Sequence, residues 1–172
     1  MTYKPEIIPQ DSPPPYNIPL DDEWSLISDQ IMGGRSAGKL SRIDYKQQSC
    51  LRMSGLVTTE NNGGFLQIAR NLATNGKPFD ASSYKGLSIK VAGNVETYNI
   101  HLRTTDISLP WQSYRSSFKT SAEWQVVQLP FNEFVSHRTD SNLDISRLMR
   151  VGLVAIGRDF NADLYVSEIG FY

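Results

Sequence analysis

From residue 86 onward, apolar and polar positions alternate with a period of two. Leu87, Ile89 and Val91 fall on one side of the chain, Ser88 and Lys90 on the other. Tyr98, Ile100 and Leu102 alternate with Asn99, His101 and Arg103. Tyr114, Ser116 and Phe118 alternate with Arg115, Ser117 and Lys119. A period of two marks strands with one buried face. Leu164, Val166, Ile169 and Phe171 read as one last strand with a slip of register at Ser167-Glu168. Further strands are predicted over residues 24–28, 39–45, 50–57, 65–69, 124–129 and 151–156. Helix is confined to short turns at residues 131–134 and 145–149, with Asp144 placed as the N-cap of the second. Roughly eight to ten short strands separated by turn signals imply an all-β fold of two packed sheets, a β-sandwich.

The first twenty residues break this pattern. Pro5, Pro9, Pro13, Pro14, Pro15 and Pro19 favour extended polyproline II and exclude helix or an inner strand. Residues 1–20 are therefore expected to be a proline-rich arm, laid along its own domain, free of it, or docking into an aromatic groove. Residues 21–172 are the sandwich domain. No internal repeat is visible, and 172 residues suit one domain.

Composition narrows the partners. With 17 basic and 18 acidic residues the net charge is −1, so no global field draws the chain to nucleic acid or an anionic membrane. Charge-based recognition must be local. The single Cys50 excludes an internal disulfide, and its strand position predicts a buried, inert thiol. No apolar run reaches the roughly 20 residues of a membrane helix. The amino terminus has no basic start followed by an apolar core, so a cytoplasmic protein is expected.

Two double glycines carry the most specific signal. They are Asp29-Gln30-Ile31-Met32-Gly33-Gly34-Arg35-Ser36, five residues after Trp24, and Asn61-Asn62-Gly63-Gly64-Phe65. This spacing resembles the family of the NADH:ubiquinone oxidoreductase complex I intermediate-associated protein, with departures at Gln30 and Arg35. The runs Tyr98 to Asp106, Pro110 to Arg115, Leu129-Pro130-Phe131 with Phe134, and Gly152 to Arg158 are similar to its bacterial branch. The resemblance implies a jelly roll of the galactose-binding-domain-like type. It also implies a chaperone-like assembly factor: eukaryotic relatives help assemble respiratory complex I, and related domains fused to reductase-type domains serve biogenesis in photosynthetic lineages.

Read as residues alone, the catalytic inventory is thin. No nucleophile elbow, zinc-protease motif, P-loop or dinucleotide fingerprint occurs. Cys/His metal sites are excluded by count, and no cofactor is expected. Asp29, Asp163 and Glu168 are candidate ligands for a structural calcium ion, although turn carboxylates are the plainer reading. Trp24 and Trp124 lie in apolar strand patterns and are expected in the core.

The informative chemistry lies on one strand face. Asn99, His101 and Arg103 project from the same side. If the strand at 114–119 pairs with theirs, Arg115 joins them, and the loop between brings Asp106, Trp111 and Gln112 to the rim, with Tyr114 beside it. His137, Arg138 and Arg158 are further candidates. Either this is a solvated outer face or it is a binding patch for carboxylate, phosphate or polyhydroxyl groups. Three functions stay open. They are a non-catalytic binding or assembly module with a protein partner, a carbohydrate- or small-anion-binding module, and an enzyme using His101 with Asp106, or His137.

Overall fold

The computed structural model of the chain describes residues 14–172. One sheet contains β1 (Tyr16–Asn17), β3 (Ala37–Tyr45), β4 (Gln48–Val57), β6 (Gly86–Gly93), β9 (Gln125–Pro130) and β12 (Phe160–Phe171). Its order is β3-β4-β12-β6-β9, with β1 paired to β12. The other contains β2 (Ser25–Ser28), β5 (Phe65–Asn71), β7 (Thr97–Thr104), β8 (Ser113–Lys119), β10 (Val135–His137) and β11 (Leu148–Ile156). It runs β10-β8-β7-β11-β5-β2, and every pairing in both sheets is antiparallel.

The alternating apolar residues meet between the sheets. Met53, Leu87, Ile89 and Leu164 from the first pack with Leu66, Ile100, Leu102 and Leu153 from the second. Each large side chain so buried contributes about 1.5–3 kcal/mol. Two bulges keep the alternation in register. One lies between Val166 and Glu168 of β12, where the slip was expected. The other lies between Leu148 and Arg150 of β11. Without it, residues two apart would share a face; with it, Leu148 is buried in the core while Arg150 emerges on the outer side.

Three expectations need correction. The arm does not extend to residue 20. Tyr16 and Asn17 pair with Phe171 and Gly170, along the flank of β12 that β4 vacates beyond Val166. The Ile18 amide donates to the Ile169 carbonyl at 2.9 Å, and the Ile18 side chain joins the core. The Trp24 indole donates to the Pro19 carbonyl at 2.8 Å. Pro5, Pro9 and Pro13 lie outside the described residues. Trp124 is not in the main core. It stands half-buried against Tyr45 on the outer face of the first sheet, in a small cluster with buried Cys50, Ala92 and Tyr165. Third, β1 and β10 and the 3-10 turns Asp29–Met32 and Glu60–Asn62 were not expected from the pattern. All four are too short to show a period. The turns Phe131–Glu133 and Ile145–Arg147 were expected, and the Asp144 carboxylate accepts the Ser146 amide as its N-cap.

Asp29 explains the double glycines. Its side chain is fully buried, and it accepts from the Ser36 amide at 2.9 Å and from the Ser36 hydroxyl. It also accepts from the backbone amides of Gly64 and Phe65. A Cβ on Gly34 or on Gly63 would overlap the Asp29 carboxyl group, so both positions must lack one. Burial works against the charge, but these donors outweigh it and hold Asp29 below the usual carboxylate range. One buried carboxylate thus clasps the turn after β2 to the start of β5. Such a ring of donors suits a bare carboxylate and not a calcium ion. Asp163 accepts from Arg52 at 2.8 Å, Glu168 is exposed on β12, and among the described residues no three His, Cys, Asp or Glu side chains gather to hold a metal.

Candidate functional site

The outer face of the β10-β8-β7-β11-β5-β2 sheet is the floor of an open groove of about 690 Å³. Strand register decides who faces it. His101 lies opposite Arg115 on β8 and opposite Gly152 on β11. Arg103 lies opposite Arg150. Val154 lies between Asn99 and Gln67, Ile27 opposite Gln67, and Ile156 opposite Phe65. On β10, His137 sits beside Ser113. Gly152 has no side chain to raise the floor, and the Gln67 amide reaches over it.

Two loops form the lips. After β2, the Asp29 clasp presents Ile31 and Met32, 73% and 58% exposed. After β7, the segment 105–112 presents Pro110 and Trp111, the latter 53% exposed. Arg103 holds this second lip by donating from Nη1 to the Leu109 and Gln112 carbonyls, at 3.0 and 2.5 Å. The Gln112 side chain accepts the Ser108 and Leu109 amides and donates to the Arg138 carbonyl, tying the lip to the residue that follows β10.

Charge is one-sided. Arg103, Arg115, Arg138 and Arg150 line the groove, and among the described residues none of them pairs with a carboxylate. Among the described residues no Asp or Glu lines it either. Burial pulls Arg103, Arg115 and Arg150 below the ordinary guanidinium value, and Arg150 adds its repulsion to Arg103. They stay charged. His101 is pushed down to about 3 by burial, then by Arg115 and His137, so it is neutral near pH 7; its Nε2 has no partner. His137 is lowered by burial and by Arg115 and Arg138. The positive charge here is therefore all arginine.

Of the residues singled out in the sequence, His101, Arg103, Trp111, Gln112, Arg115, His137 and Arg138 come together in the groove. Asn99 shares the face but stands beyond the lining. Three do not belong. Tyr114 is 1% exposed and points into the core, its hydroxyl donating to the Ser141 and Asn142 carbonyls. Asp106 is turned to Arg147. Arg158 pairs with Glu96 and lies over the Phe160 ring. Missed were Arg150, Gln67, Phe65 and Ile27, and the lip residues Ile31 and Met32. Counting the alternation of Val151, Leu153 and Ala155 back by one residue would have placed Arg150 outward. The apolar outward residues carry no such signal, because an apolar residue in or beside a strand reads as core.

The family model described as Complex I intermediate-associated protein 30 matches residues 17–166. No curated protein matches the sequence. Among solved structures, the chain is similar to a family 11 carbohydrate-binding module from Clostridium thermocellum in complex with a beta-1,3-1,4-mixed-linked tetrasaccharide, at 13% identity over 91% of this chain and 94% of that one, with a TM-score of 0.74. It is also similar to the family 30 carbohydrate-binding module of a cellulosomal cellulase of the same organism, at 16% identity over 92% and 90%, with a TM-score of 0.56. At such identities the likeness is one of fold, a sandwich of the jelly-roll, galactose-binding-like type.

Proposed function

The chain belongs to the complex I intermediate-associated protein 30 family, and we propose that it is a non-catalytic binding module of the assembly-factor kind, gripping its partner through an anionic group in the groove. The observation that carries this reading is four arginines converging without a carboxylate among the described residues. A guanidinium donates and never accepts, so these arginines call for an acceptor-rich, anionic group. Both lips are already held by hydrogen bonds, which lowers the cost of ordering on binding. The acid–base pair of His101 with Asp106 is parted, since Asp106 faces Arg147 while the His101 Nε2 has no hydrogen-bond partner among the described residues.

Affinity capture from the native cell tests this, with the protein and an Arg115→Ala/Arg150→Ala variant as baits and mass spectrometry of both proteins and small molecules. An anionic species retained by the first and lost by the second is expected; a complex I intermediate would be the assembly-factor outcome. Equal retention by both baits would overturn the reading.

A carbohydrate ligand is the second reading. Trp111 favours it, since an exposed indole at a groove lip can stack on a sugar ring. The donor excess then requires an acidic sugar, and neutral oligosaccharides should bind weakly.

A further inference from the structure

The groove is divided by polarity as well as biased in charge. Along β11 its floor runs from Arg150 through Gly152 and Val154 to Ile156, about 20 Å at the usual rise of a strand. Arg103, Arg115 and Arg138 gather with Arg150 at one end, toward β8 and β10. Phe65, Ile27 and Ile156 occupy the other, toward β2, beneath the Ile31 and Met32 lip. Resting on the binding-module reading above, we infer that the groove holds an amphiphile of small-molecule size, with a carboxylate or phosphate head among the arginines and an apolar body lying over Gly152 and Val154 toward Ile156.

Arg103 and Arg150 sit directly opposite on neighbouring strands, and like charges so placed repel. The juxtaposition of the two charges adds nothing to the stability of the sheet, whereas an anion between them removes the repulsion and adds charge-assisted hydrogen bonds. Ile31 and Met32 are held out in water by the buried Asp29 clasp, so their exposure is built in and is relieved only when something apolar covers them. A neutral saccharide would satisfy neither end. An acidic peptide would satisfy the first end alone unless apolar residues followed.

Calorimetric titration with dodecanoate and with dodecyl phosphate, each below its aggregation concentration, tests the inference. Inorganic phosphate, dodecyltrimethylammonium, a hexaglutamate peptide and a mixed-linked β-glucan tetrasaccharide are the controls. At least one anionic amphiphile should bind one to one, at least tenfold tighter than every control, and the tighter of the two names the head group. Arg115→Gln/Arg150→Gln should weaken it at least tenfold. Ile31→Glu, a change at an exposed site, should also weaken it at least tenfold while the melting temperature stays within a few degrees. Equal binding of the cationic amphiphile, tighter binding of the peptide or the tetrasaccharide, or indifference to both variants would overturn the inference. If neither amphiphile binds but capture from cells still depends on the arginines, the inference fails and the binding-module reading stands.

Discussion

Arg103 and Arg150 face each other across the β7–β11 pairing, on the outer side of the sheet, with no carboxylate partner for either among the described residues. Elsewhere the arginines that brace the fold meet carboxylates: Arg70 with Asp21, Arg52 with Asp163, Arg158 with Glu96. In the groove they do not. Replacing Arg150 by Gln should leave stability unchanged or raise it by about 0.5 kcal/mol, since a directly opposed like-charge pair is removed. Thermal melts in low and high salt check this. Added salt should stabilise the unaltered protein more than the variant, because screening weakens repulsion.

Asp29→Ala should be among the most damaging single changes. It strands buried donors at Ser36 and Gly64 that a charged acceptor now satisfies, at a cost of roughly 3 kcal/mol or more. Gly34→Ala drives a methyl group into the same carboxyl and should cost roughly 1–3 kcal/mol. Urea unfolding midpoints measure both, and near-neutral values would show that the clasp does not hold the turns.

Trp111 and Tyr114, three residues apart, should behave as opposites. Trp111→Ala leaves the fold intact and weakens ligand capture, because its ring is half exposed at the lip. Tyr114→Ala empties a fully buried site and should cost about 3–5 kcal/mol. Paired binding and melting measurements separate the two effects. A stable Tyr114→Ala variant that has lost only binding would contradict the placement of that ring.

Stability should fall with acid before the carboxylates titrate. His101 has an ordinary value of 6.5 and is held at about 3 in the folded protein, so between these the unfolded chain binds the extra proton. Its contribution is fully present above about pH 6.5 and is lost as pH falls toward 3, at about 1.4 kcal/mol per pH unit for one proton. His137, also lowered, adds in the same direction. Urea melts from pH 7 to pH 4.5 should show this slope, and His101→Gln should flatten it. An unchanged slope in the variant would mean that His101 is not shielded as described.

Ile18→Ala should cost about 2–5 kcal/mol, as for any large aliphatic side chain removed from a core. Deleting residues 1–19 should cost more, since it also removes the Pro19 carbonyl that binds Trp24. A cooperative, unshifted melt of the deletion would restore the arm boundary at residue 20.

Much of the fold was legible because it rests on local repetition. Tyr98, Ile100 and Leu102 declare their buried face by alternation alone, and the same alternation puts Asn99, His101 and Arg103 on the other side. Even the slip at Ser167 shows in the pattern, since Val166 and Ile169 are three residues apart yet both buried. Tyr114 shows where such reading fails. Its neighbours suggested the rim, but its own alternation with Arg115 already placed it inside.

The sequence by itself thus determined an all-β sandwich, its family, and the polar strand face that carries Arg103 and Arg115. Each follows from residues close together in the chain, where a period of two or a motif spacing is enough. Only the tertiary structure decided that this face is a groove. Arg150 meets Arg103 through a bulge and a pairing of strands that are distant in sequence order, which no local pattern records. Ile31 and Met32 are kept in water by a carboxylate whose partners, Gly64 and Phe65, lie at the entry to another strand. Contacts of that range depend on how the sheets are ordered, and alternation says which way a side chain points without saying what it will face.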